Sequence, residues 1–361
     1  MRRGTIFPIL FVIISAAIIG LSMFISSQNP DANTPIQLSL AVSPLAESWM
    51  EQAIQDFNAT NTQANGRTVS ISLTSTIDDT QAWSEWSAIN HPNIWIPAAK
   101  FSINVSSTAF DVLSNSVAQT PIIWMGYESR VQALTNDGIQ RFDWGTVIEA
   151  AELESWGAIS STYSNLDFIN IAFAPPDKDI TGLSVLFSAA ADTDSAEQVT
   201  ESTLRGTVRT RLIPVLNALQ TYIGSLESYV ARPSTVHLAI GAESIWLNNL
   251  NNFTRNEDVT FSYPSYTVMM DFPVAIWSDS TSAERDAAQA FIDWLLLPAQ
   301  QAKIPSYGLR PVIGTPTISD RLFANAQVYG IELSPIFDHI VQPQVSSNDI
   351  QALLAWFSRR G

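Results

Sequence analysis

Layered α/β structure on mostly parallel strands is the fold class this sequence predicts, and three observations carry the prediction. Strand-like and helix-like patterns alternate from about residue 36 to residue 357, as packed α/β layers require. Ile36 to Thr74 reads as strand, helix, strand, and a strand that returns after a helix implies a parallel pair. Asp271 to Val312 (DFPVAIWSDSTSAERDAAQAFIDWLLLPAQQAKIPSYGLRPV) shows the same alternation in its clearest form.

In that last stretch, the apolar run Phe272 to Trp277 ends at SDSTS, a buried strand followed by a turn. Ser280 or Ser282 is the expected helix cap, with Glu284 and Asp286 near the positive helix end. Ala287, Ala288, Phe291, Leu295 and Ala299 recur at helical spacing, so one face is buried. Tyr307-Gly308-Leu309-Arg310-Pro311 closes the helix with a sharp turn.

The remaining elements follow in chain order. Ile36 to Val42 alternates as a strand, and Ser43, Pro44 and Glu47 form a helix start signal for a helix through Phe57. Arg67 to Thr74 is the second strand. Asp78 to Ile89 reads as a helix, Pro92 to Ala99 as a short buried strand, and Ser106 to Val117 as a helix. Gln119 to Met125 is a strand, followed by helices near Glu128 to Leu134 and from Phe142 to Ser155, the latter started by Asp143. Phe168 to Ala174 is a strand leading through Pro175-Pro176-Asp177-Lys178-Asp179 into a helix from Thr181 or Gly182. Leu204 to Tyr229 is mainly helical, Thr235 to Ile240 a strand, Asn248 to Asn256 an Asn-rich loop, and Ser346 or Ser347 to Phe357 a final helix.

Composition narrows the function. The 361 residues contain no cysteine, which excludes disulfides, cysteine metal sites and thiol catalysis. A net charge of −16 repels nucleic acid. Arg2 and Arg3 precede the uncharged run Ile6 to Ile25, long enough to span a bilayer with the positive flank inside. A cleaved leader has a shorter apolar core and a small-x-small site, which Ser22-Met23-Phe24 fits poorly. The expectation is a retained anchor (residues 1–28), a linker (29–35) and an extracytoplasmic body. Three separated histidines, His91, His237 and His339, and the absence of GxSxG, GxxxxGK and GxGxxG motifs offer no positive sign of an enzyme. His237 sits on an apolar strand and reads as a core residue, as do Trp95 and Trp124. No cofactor or metal site is indicated.

What recurs is a strand running directly into a small-residue helix start: at Ser43-Pro44, at Pro97-Ala98-Ala99, at Thr181-Gly182 and at Glu243-Ser244. In open α/β sheets ligands lie outside the carboxyl ends of strands, where helix starts offer free N–H groups.

Several ordered pieces resemble the bacterial extracellular solute-binding proteins: Ala41 to Trp49, Ile94 to Ala99, Thr120 to Met125, Pro176 with Thr181-Gly182-Leu183 and Leu186, Gly241 to Ser244, Tyr263 to Pro273, Ala288 to Gln301 and Tyr307 to Pro311. The resemblance covers about residues 36 to 357. It implies a periplasmic-binding-protein-like type II fold with two crossovers, lobe one being 36–120 plus 272–361 and lobe two 121–271. It also implies that Ser43, Pro97, Ala98, Thr181, Gly182 and Glu243 line a ligand cleft between the lobes. Glu243 would bind a ligand hydroxyl or amine, or cap a helix. The implied activity is capture of a small polar ligand (sugar, oxyanion, amino acid or polyamine) for a membrane transporter or for sensing. Two other readings stand beside it: an interaction module in an envelope complex, since relatives of this layout are sometimes joined to a von Willebrand A-type domain, and an exported hydrolase with an acid pair.

Overall fold

Apolar alternation sets the first sheet. In β1 (Ile36–Val42) Ile36, Leu38 and Leu40 are buried, and the strand pairs in parallel with β3 (Arg67–Thr76) and with β4 (Ile94–Ile96). The short β2 (Gln63–Ala64) flanks β3, while β12 (Val274–Trp277) runs antiparallel between β4 and β5 (Phe110–Ser114). Helix α1 (Glu47–Ala59) covers this sheet with Trp49, Ala53 and Phe57. Phe57 meets Phe291 of the helix Ser282–Leu295 edge-on at 5.0 Å. The structure is a computed structural model that describes residues 34–107, 109–163, 168–220 and 225–359. The expected anchor and most of its linker lie outside the described residues, among which no helix is long and apolar enough to cross a membrane.

A second sheet takes the middle of the chain. Its order is β7 (Ile171–Ala172), β9 (Leu238–Ala242), β6 (Thr120–Tyr127), β11 (Tyr266–Met270), β13 (His339–Pro343) and β8 (Gln198–Val199), with β10 (Val259–Ser262) also on β6. β6 is antiparallel to β9, β10 and β11, so this sheet is mixed. The expectation of mostly parallel strands holds for the β3-β1-β4 group and for the β11-β13-β8 and β7-β9 pairs, but not for the strands around β6 and β12. Two further corrections concern topology. β13 pairs with β11 and β8, so the tail does not stay with lobe one, and the chain passes between the sheets three times rather than twice. The second passage turns at Phe272, a buried aromatic with φ of 40°. That strained conformation is held by its N–H to the Ala98 carbonyl and its own carbonyl to the Val117 N–H.

Local propensity misleads at three places. Ser106 to Val117 is not helical. A short helix precedes it, and Phe110–Ser114 gains more by pairing with β12 than a Ser- and Val-rich helix would. Asn248 to Phe253 is helical, and only the end of the expected Asn-rich loop is non-helical. Trp246, Leu247, Leu250 and Phe253 define a buried face, and Asn248 and Asn249 direct their amides to the carbonyls four residues back. The helix Ser282–Leu295 is capped by Thr281 in a reciprocal box with Glu284, not by Ser280 or Ser282.

Candidate functional site

Because β1, β3 and β4 are parallel, their carboxyl ends share one edge. Ser43 follows β1, Asp78 and Asp79 follow β3, and Pro97 to Ala99 follow β4. The corners are tied by Ser43 N–H to the Ile96 carbonyl and Ile77 N–H to the Val42 carbonyl, both 3.0 Å. Facing this edge from the second lobe is the start of the helix Ile180–Asp194.

Aspartates occupy the meeting point. Asp78 starts α2 (Asp79–Glu85): its Oδ1 accepts from the Thr80 N–H at 2.9 Å and from Thr80 Oγ1 at 2.7 Å. Its Oδ2 crosses the seam and accepts from the Ile180 N–H at 3.1 Å. Asp79 is fully buried and accepts from the Ala98 N–H (3.0 Å), the Ala99 N–H (3.3 Å) and Ser102 Oγ (2.5 Å). Asp179 accepts from the Thr181 N–H at 2.7 Å and from Thr181 Oγ1 at 2.5 Å. Asp271 accepts from the Lys100 N–H at 2.9 Å, at the start of α3 (Lys100–Val105).

None of these four carboxylates forms an ion pair among the described residues. Burial, reinforced by the charge of Asp179, pushes the Asp78 carboxyl up to about 6. Burial and the neighbouring Asp78 raise Asp79 as well, and burial raises Asp179 and takes Asp271 to about 7. Beside the aspartates, Phe101 of α3 meets Phe187 of the facing helix edge-on at 5.2 Å. The centre of the interlobe crevice is therefore packed shut by the protein's own side chains.

The sequence-predicted residues separate into two groups. Ser43, Pro97 and Ala98 are buried just after β1 and β4, and Thr181 and Gly182 are buried at the start of the helix Ile180–Asp194. The Ser43 hydroxyl is buried without a partner and does not cap α1, while Glu47 accepts from Thr76 instead. Ala98 and Thr181 direct their N–H groups to aspartates rather than to open space. Gly182 is needed for packing, because a Cβ there would lie 1.9 Å from the Ala174 carbonyl oxygen.

Glu243 belongs elsewhere, and its expected ligand role is corrected. It is fully buried and receives both Arg310 Nε (2.6 Å) and Nη2 (2.7 Å), plus the Tyr263 hydroxyl at 2.7 Å. Arg310 also donates to the Glu332 and Leu333 carbonyls. His237 is a core residue, accepting from the Trp156 indole N–H at 2.8 Å, with burial lowering it to about 4. Trp95 and Trp124 are buried too.

Open volume lies at the mouth of the crevice. A cavity of about 260 Å³ is lined by Thr80, Trp83 and Val105 of the first lobe, Asp177 of the second, and Ile350 and Leu354 of the final helix Ser347–Ser358. The missed residues are Asp78, Asp79, Trp83 and the final helix. The doublet Asp78-Asp79 directly after a strand was the available signal. A larger hollow of about 690 Å³ in the second lobe has Phe168 and Gln220 in its wall, next to segments outside the described residues, and contains none of the predicted residues.

No family model matches the sequence, and a search of curated proteins finds no match. Solved structures do match. A cyclic α-maltosyl-1,6-maltose binding protein from Arthrobacter globiformis aligns with a TM-score of 0.55 at 13% identity, over 91% of this chain and 95% of that one. A solute-binding protein of an ABC transporter from Thermotoga lettingae, bound with α-D-tagatose, aligns with 0.55 at 13% identity, over 90% and 93%. The sulfate-binding protein SubI from Mycobacterium tuberculosis aligns with 0.50 at 13% identity, over 88% and 96%. The chain has the two-lobed fold of extracellular solute-binding proteins. Within that solute-binding fold, its two halves meet at Asp78 and Ile180 in front and at Glu243 and Arg310 behind.

Proposed function

We propose that the chain is an extracytoplasmic binding protein, held at the membrane by its N-terminal segment, that captures a small polar solute between its lobes for transport or sensing. The observation that carries this reading is the alignment of the parallel-strand edge (Ser43, Asp78, Ala98) with the Ile180 helix start, with a solvent-connected cavity at the same seam. That these structural relatives are binding proteins supports a non-enzymatic role. The test is native mass spectrometry of the gently purified full chain, followed by thermal melts against a metabolite library. A retained small molecule, or a melt shift that scales with concentration, is the expected result; the absence of both a retained molecule and any shift across the library sinks it. Intact-mass measurement on the membrane fraction tests the anchor, which requires residues 1–28 to remain attached.

A second reading has one observation in its favour. The closed seam of Asp78, Phe101 and Phe187 suits an envelope interaction module that keeps one shape. Identical small-angle scattering with and without a bound metabolite, with a partner other than an importer recovered by crosslinking, favours it over capture.

A further inference from the structure

The cavity at the seam has a chemical character of its own. Trp83 forms one wall, and its indole N–H donates to the Ser102 carbonyl at 3.0 Å, which fixes the ring. Val105, Ile350 and Leu354 supply apolar surface around it. Among the described residues, Asp177 is the only ionisable one lining the cavity, and it is exposed. No described lysine, arginine or histidine lines it. Behind Thr80 stands Asp78, whose carboxylate Thr80 contacts.

The second-lobe helix start gives an anion no foothold. The N–H groups of Ile180 and Thr181, the natural anion cradle of that helix, are already held by Asp78 and Asp179. An entering anion would meet Asp177 and then these two carboxylates. A cation would be attracted by the same groups and by the net charge of −16, and the face of a tryptophan favours a cation or an aromatic body over it.

The final helix completes the site. Ile350 and Leu354, four residues apart, lie on the cavity side, while Ala352 and Trp356 are engaged by Arg209 of the second lobe. The helix is therefore anchored to one lobe and roofs a cavity whose floor belongs to the other.

On this basis we infer that the solute is a compact organic cation with an apolar or aromatic body, bound between Trp83 and the Ile350–Leu354 face, its charge toward Asp177. The inference rests on the binding-protein reading and narrows its ligand class.

The experiment is isothermal titration of the full chain in detergent with phenethylamine, 3-phenylpropionate and inorganic sulfate. Phenethylamine is expected to saturate one site with a Kd under about 1 mM, while the two anions give no heat of binding. Trp83→Ala is expected to weaken phenethylamine by about tenfold or more and Asp177→Asn by about threefold. Leu354→Trp, which fills the cavity from the other side and leaves the Trp83 hydrogen bond alone, should abolish binding in a protein whose melting temperature is kept. Equal binding of phenylpropionate, binding of sulfate, phenethylamine binding that survives both Trp83→Ala and Leu354→Trp, or no phenethylamine binding at all would each overturn the inference. A solute retained on purification would leave the broader reading standing in any of those cases.

Discussion

The two lobes are joined at a back and a front, and both places bury carboxylates. At the back, Glu243 lies in a bidentate pair with Arg310, reinforced by Tyr263 and by the Glu332 and Leu333 carbonyls. At the front, Asp78, Asp79 and Asp179 are held by backbone N–H and hydroxyl groups alone. A buried charge with a fitted guanidinium is a permanent fastening, since removing either partner strands the other. Buried carboxylates with only neutral donors respond to their surroundings, because a proton or an incoming cation relieves their mutual repulsion. The back is a fixed joint, and the front responds to pH.

Arg310→Ala attacks the joint and carries the largest expected effect. It leaves Glu243 charged and unpaired, so urea unfolding should show a loss of about 3–5 kcal/mol. A loss below 1 kcal/mol would mean that the pair does not hold the back together.

Phe101→Ala tests the front. It removes the ring packed on Phe187, and a loss of about 3 kcal/mol is expected. Small-angle scattering should also show a larger radius of gyration than for the unmutated protein. An unchanged radius would mean that the ring pair does not keep the lobes closed.

Acidity separates the two ends further. Asp78, Asp79, Asp179 and Asp271 all titrate above their ordinary 3.8 when folded, Asp78 at about 6 and Asp271 at about 7. Between pH 4 and 7 the folded protein thus holds protons that the unfolded chain has released. Their contribution to stability is full below the unfolded value and is lost as pH rises through the folded ones. Unfolding free energy should fall by about 2 kcal/mol or more from pH 5 to pH 8, and Asp78→Asn should flatten the slope while Arg310 variants keep it. Asp56, Asp111 and Asp349, which shift downward through hydrogen bonds, act only at the acid end, whereas His237, lowered by burial to about 4, gains stability over the same window and offsets part of the fall. A flat profile in the unmutated protein would contradict the assignment.

Ser43→Ala is the smallest change. Its hydroxyl is buried without a partner, so the variant should match or slightly exceed the original, within about 0.5 kcal/mol. A loss above 1 kcal/mol would show that the hydroxyl does have a partner in solution.

Much of this was legible in the residues. The Ser282–Leu295 helix, the β1–helix–β3 unit, the Asp143 start and the final helix follow from apolar spacing and capping groups. These signals are local and survive any tertiary arrangement. Of the six proposed cleft residues, Ser43, Pro97 and Ala98 share an edge because the parallel strands β1 and β4 end there, and Thr181 and Gly182 start the helix that faces it. The sixth, Glu243, resembled them in its position after a strand, and only its reach to Arg310, 67 residues away, gave it a different role.

Composition and short-range pattern by themselves determined the α/β class, the absence of thiol chemistry, the acidic field and the strand-to-helix corners. Folding decided which corners face one another, that β13 returns to the second sheet, and that aspartates rather than open space meet the Ile180 helix. The physical reason is range: helix caps and apolar periods act within a few residues, whereas a seam is made by groups about a hundred residues apart, and their partners have no signature until the chain has closed.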